Sequence, residues 1–130
     1  MASINLKTTL AVSADELWAH VQDVGAVAGL LDIISDSSID GDQRSCTMAD
    51  GAELSETIIS IDQEHRRVAY TITDSPFPIQ AHAASMQVSD AGNGKSTFHW
   101  ITDVKPDELA GALGPMLAGS VASMEQRFGT

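Results

Sequence analysis

The sequence predicts an α+β fold: a curved antiparallel sheet of six or seven strands wrapped on a long C-terminal helix, with two short helices after the first strand. Three observations carry this. Pro106 to Phe128 repeats apolar residues at helical spacing, the chain from Gln43 to Val104 alternates apolar and polar residues between turn signals, and a capping sequence opens a helix directly after the first alternating run. A sheet that long must bury one face, and the last helix is the only segment large enough to cover it.

Ile4, Leu6, Thr8 and Leu10 alternate with Asn5, Lys7 and Thr9, the pattern of a half-buried strand ending near Val12. Ser13-Ala14-Asp15-Glu16 reads as a capping box, in which Ser13 accepts from the Glu16 amide and Glu16 reaches back to the Ser13 amide; Val12 and Leu17 supply the hydrophobic staple. Leu17, Trp18 and Val21 form one apolar helix edge. A break at Gly25 separates this helix from a second short helical segment, Ala26 to Leu31, with Val27, Leu30 and Leu31 apolar. Ser35 to Asp42 is polar and extended.

Arg44 to Ala49 is the next strand, closed by the hairpin signal Asp50-Gly51. Glu53 to Ile61 follows, and its apolar parity switches between Ile58 and Ile59, which predicts a bulge. Asp62 to Arg66 is a charged turn, after which Val68, Tyr70 and Ile72 share a face. Ser75-Pro76-Phe77-Pro78 interrupts pairing, since proline cannot donate to a ladder. Ile79 to Val88 resumes it with His82, Ala84, Met86 and Val88 on one face. Asn93-Gly94 turns the chain into a strand where Phe98, Trp100, Thr102 and Val104 alternate with Thr97, His99, Ile101 and Asp103.

In the last segment Leu109, Leu113, Met116, Leu117, Ser120, Val121, Met124 and Phe128 fall on one helix face, and Gly111, Pro115, Ala118 and Ala122 on the other. Pro106 suits the first helical position, with Asp107 and Glu108 against the positive end of the helix dipole. Pro115 deletes a bond to the Gly111 carbonyl, so a bend is expected mid-helix.

The 130 residues read as a single domain, 1–130, with 43% hydrophobic and 19% charged residues, as in a soluble globular protein. A net charge of −11 argues against nucleic acid and anionic membrane surfaces as partners. No apolar run is long enough to span a bilayer, and Met1 to Leu10 lacks the basic and apolar regions of a signal peptide. With a lone Cys46, a cytoplasmic location is expected. The four histidines lack close ligand spacing, so no metal is expected. No cofactor motif is present. His65 and His99 are expected at a turn and on an exposed strand face, and His20 facing water.

Taken in order, Val12-Ser13-Ala14-Asp15-Glu16-Leu17-Trp18, Arg44 seven residues before Gly51, Glu56, Asp62, Tyr70-Thr71-Ile72, the Pro76/Pro78 turn and Phe98-His99-Trp100 resemble the START/Bet v 1-like (SRPBCC) superfamily, and within it the polyketide cyclase/dehydrase-like branch. The resemblance implies the helix-grip fold, with a pocket between sheet and last helix. The branch is also similar to plant abscisic-acid receptors, which hold the hormone's carboxylate with a lysine just after the first helices. Here the corresponding Leu30-Leu31-Asp32-Ile33-Ile34 has no lysine, and Asp32 is expected to repel an acid.

Strand parity and the resemblance together place Trp18, Leu30, Leu54, Glu56, Tyr70, Ile72, His82, Met86, Trp100, Leu113, Met116 and Leu117 as ligand-binding candidates. The expected function is binding of a hydrophobic small molecule or lipid. The alternative is a cofactor-free polyketide cyclase, aromatase or dehydratase, with His82 as base, Tyr70 as donor to the developing oxyanion and Glu56 orienting the imidazole. A third reading is an interaction domain without ligand, for which the small-residue face of the last helix would pack in a homodimer.

Overall fold

The computed structural model describes residues 1–130. Seven strands form one antiparallel sheet: β1 (Ala2–Leu10), β2 (Ile34–Asp40), β3 (Gln43–Met48), β4 (Glu53–Asp62), β5 (Arg67–Asp74), β6 (Ala81–Gly92) and β7 (Lys95–Lys105). Their order is β1-β7-β6-β5-β4-β3-β2. Helix α1 (Ala14–Gln22) and a 3-10 segment (Val24–Gly29) follow β1, and α2 (Leu109–Phe128) closes the chain. The α+β helix-grip architecture expected from the sequence is the one observed.

Local chemistry explains the joints. Ser13 Oγ accepts from the Glu16 amide at 3.1 Å, while Val12 and Leu17 are both buried, so cap and staple form together. The return bond from the Glu16 side chain does not form. The bulge sits where parity switches: pairing runs Ile58 with Tyr70 and then Ser60 with Ala69, leaving Ile59 unpaired and 61% exposed. At the β6–β7 turn Asn93 and Gly94 both have positive φ, 54° and 74°, as a tight hairpin requires.

Two expected helix boundaries are corrected. Gly25 does not break the chain between helices; it lies inside the 3-10 segment, while Asp23 separates that segment from α1. A Cβ on Gly25 would meet Ile39 Cγ2 at 2.6 Å, so this glycine is needed where the segment crosses close to β2. The last helix starts at Leu109 rather than at Pro106. Leu109, Ala110 and Gly111 donate to the carbonyls of Pro106, Asp107 and Glu108, so the chain first makes a tight turn with i→i+3 bonds. Asp107 and Glu108 therefore precede the helix, and its first turn carries no acid.

Helix α2 runs unbroken through Pro115, burying Leu109, Leu113, Ser120, Val121 and Met124 and exposing Gly111, Pro115, Ala118 and Ala122. Its side-chain ties are confined to the C-terminal half. Asp32 accepts from Ser120 Oγ at 3.0 Å and from Ser123 Oγ at 2.5 Å, Thr8 Oγ1 donates to Glu125 at 2.8 Å, and Arg127 donates to the Gly29 carbonyl at 2.6 Å. No such bond holds the first half. His20, expected in water, is half-buried with its ring 5.7 Å from that of Phe128. No helix is long and apolar enough to cross a membrane.

The buried apolar residues fall into two groups. One of 23 runs from α1 across the sheet to Val121 and Met124 of α2, and one of four (Ile4, Val104, Leu109 and Leu113) lies under the start of α2. Leu6, Phe77, Met116 and Leu117 are only partly buried and pack against both.

Candidate functional site

Between sheet and α2 lies a cavity of about 70 Å³, and 14 of its 18 lining residues are hydrophobic. The strands contribute through period-2 alternation. Arg44, Cys46 and Met48 face inward from β3, Leu54 and Glu56 from β4, Tyr70 and Ile72 from β5, and Trp100 and Thr102 from β7. Leu113, Met116 and Leu117 of α2 form the lid, and Phe77 reaches in from the proline-flanked β5–β6 loop. The volume suits a few waters and is well under the roughly 300–1,000 Å³ of ordinary small-molecule sites, so a larger guest must push the wall back. The first half of α2, which carries Met116 and makes no side-chain hydrogen bond, is the least tied part of that wall.

A buried polar group occupies the sheet side. Arg44 and Glu56 are register partners on β3 and β4, and Arg44 Nε donates to Glu56 Oε1 at 2.8 Å. Arg44 also donates to the Val24 carbonyl at 3.1 Å, and Cys46 Sγ lies 3.4 Å from the same Glu56 oxygen. Burial, then the Glu56 charge, pushes the Cys46 thiol up to about 12, so it is no nucleophile at neutral pH. The Arg44 guanidinium stacks 4.9 Å from the centre of the Tyr70 ring. Trp100 Nε1 donates to the Tyr70 hydroxyl at 2.9 Å. Burial first, and the Glu56 charge second, raise the Tyr70 pKa and keep the phenol protonated.

His82 stands at one edge, its ring centre 6.0 Å from that of Tyr70. The Ile72 amide donates to His82 Nδ1 at 3.0 Å, which fixes the neutral ring's proton on Nε2. Burial lowers its pKa to about 4, against a smaller opposing effect of Asp103. His82 is thus a neutral donor at pH 7, with its lone pair already engaged.

Nine of the twelve expected ligand contacts line this cavity: Leu54, Glu56, Tyr70, Ile72, His82, Trp100, Leu113, Met116 and Leu117. Trp18, Leu30 and Met86 do not; all three are buried in the larger core cluster. Trp18 turns its indole away to donate to Gln63 at 2.9 Å. Met86 shares the face of Tyr70 but pairs on β5 with Val68, which lies outside the cavity wall. Leu30 closes the 3-10 segment, its amide bound to the Val27 carbonyl, and Val27 and Leu31 reach the cavity in its place. Glu56 does not orient His82: its partners are Arg44 and Cys46. Asp32, expected to repel an acid, is spent on the two serines of α2 and does not line the cavity. The reading of strands missed Arg44 and Cys46, although both share parity with Met48; a charged residue on an inward position was the available signal.

No curated protein matches this sequence. Among solved structures the chain is similar to XoxI from Bacillus cereus, with a TM-score of 0.91 at 20% identity over 98% of this chain and 96% of that one. It is similar to a START superfamily protein from Mycobacterium smegmatis, with a TM-score of 0.75 at 14% identity over 97% and 99%. Norcoclaurine synthase from Thalictrum flavum, solved in complex with dopamine and hydroxybenzaldehyde, gives a TM-score of 0.68 at 20% identity over 94% and 82%. At these identities the likeness is one of fold, the START/Bet v 1 fold. The family model described as polyketide cyclase / dehydrase and lipid transport matches residues 1–129. The family and the fold fit hydrophobic-ligand binding or a polyketide cyclase-like role. The chain belongs to the polyketide cyclase/dehydrase and lipid transport family.

Proposed function

We propose that this protein binds an apolar small molecule between its sheet and α2. The supporting observation is an apolar cavity with a few polar groups on its wall, set between the two groups of buried residues and roofed by the untied half of the helix. A core optimised only for stability would close that gap, since each void forfeits packing contacts. Binding is favoured over turnover because the groups expected to move protons are engaged: His82 Nδ1 by the Ile72 amide, and Glu56 by Arg44. A small molecule as sole partner also fits the net charge of −11, and a reducing cytoplasm fits the one buried thiol.

Titration with N-phenyl-1-naphthylamine tests this. The dye is neutral, so the acidic surface does not repel it, and its emission rises in apolar surroundings. Saturable one-to-one binding that quenches or shifts Trp100 emission in a Trp18→Phe background is expected. A titration without saturation would contradict the proposal.

A further inference from the structure

Resting on that ligand-binding reading, we propose that Tyr70 and His82 form a two-donor subsite for an uncharged acceptor oxygen, so that the ligand is an apolar carbonyl compound, such as a ketone, rather than a hydrocarbon or a carboxylic acid. Hydrogen-bond accounting carries it. The Tyr70 oxygen already accepts from Trp100 Nε1, and its own proton has no acceptor within the protein. His82 Nδ1 already accepts from the Ile72 amide, so Nε2 bears a proton; no protein atom accepts it, and the half-buried ring stands between the cavity and the groove beside the β5–β6 loop. Both residues line the cavity under α2, their ring centres 6.0 Å apart. Two donors on neighbouring rings, the phenol held by the bond its own oxygen accepts and the imidazole by the bond at its other nitrogen, suit one oxygen accepting along both lone pairs.

The charges in the cavity select against an acid. Arg44, the one cation on its wall, already has Glu56 as partner at 2.8 Å, with side chains only 4% and 7% exposed. A ligand carboxylate would add a second negative charge beside Glu56 with no cation left to meet it, and burying an unmatched charge is costly. A ketone adds no charge and satisfies two donors. A hydrocarbon fits the walls but leaves both donors unmet.

Acetophenone and α-methylstyrene have nearly the same shape and differ in C=O against C=CH2. Each is used to displace N-phenyl-1-naphthylamine from the protein. In an apolar cavity without donors the hydrocarbon would win, because the ketone surrenders its hydrogen bonds to water. The expected result is displacement by acetophenone at about tenfold lower concentration, the worth of one or two net hydrogen bonds. His82→Asn keeps an acceptor for the Ile72 amide but removes the ring donor, and should cut the preference to about threefold. Tyr70→Phe should cut it similarly, and the parent comparison stands even if that variant folds poorly. A dye that binds but yields to acetophenone no more readily than to α-methylstyrene overturns the subsite and leaves the binding reading intact. A dye that does not bind overturns both.

Discussion

Arg44 and Glu56 face each other across β3 and β4 as a buried ion pair, 2.8 Å from Nε to Oε1, on the wall of an otherwise apolar cavity. Each depends on the other, because both side chains are buried and each is the other's oppositely charged partner. Arg44 further ties the sheet to the Val24 carbonyl and lies over the Tyr70 ring, so the pair sets the position of one of the two donors.

Glu56→Ala should therefore cost about 3–5 kcal/mol, the range for stranding a buried charge. Urea unfolding followed by far-UV circular dichroism measures it. A loss below about 1 kcal/mol, typical of exposed pairs, would place the pair in contact with solvent.

Stability should depend on pH through His82. Its pKa is lowered from 6.5 to about 4 by burial, so between those values the unfolded chain binds a proton that the folded protein refuses. The contribution is fully present above pH 6.5 and is lost as the pH falls toward 4. In urea midpoints measured across this window, His82→Asn should show a shallower decline than the parent. Identical slopes would mean that the ring is not held neutral by the fold.

Ser13 should act as the N-cap of α1. Its Oγ meets the Glu16 amide at 3.1 Å, so Ser13→Ala should lower stability by about 1 kcal/mol. An unchanged denaturation midpoint would show that the cap contributes nothing.

The fold was legible because its signals are local. Alternation from Ile4 to Leu10 and from Phe98 to Val104 marks strands, the parity switch at Ile58/Ile59 marks the bulge, and Ser13 to Leu17 marks a helix start. Six cavity residues followed from the same strand alternation and three, Leu113, Met116 and Leu117, from the helical stripe of α2, since one inward face serves both core and cavity. What alternation does not give is position along the strand: Met86 and Tyr70 share a face, but only the pairing of Met86 with Val68, which lies outside the cavity wall, sets it apart from the cavity. Nor does it give partners. The Arg44–Glu56 pair depends on register, and the protonation of His82 on an amide ten residues away. Pro106 misled because proline also suits the turn that precedes a helix.

The central claim, that the gap under α2 is a binding cavity and not a flaw in packing, is tested by filling it. Leu113→Trp and Met116→Trp place an indole on the lid side of the cavity. Each variant is measured twice, for its urea midpoint and for saturable uptake of N-phenyl-1-naphthylamine read from the dye's own emission. The account predicts that the dye binds the parent, and that the variants lose binding while stability stays within about 1 kcal/mol, because the indole enters existing space. Variants destabilised by about 1–3 kcal/mol, together with a parent that takes up no dye, would show an overpacked core and contradict it.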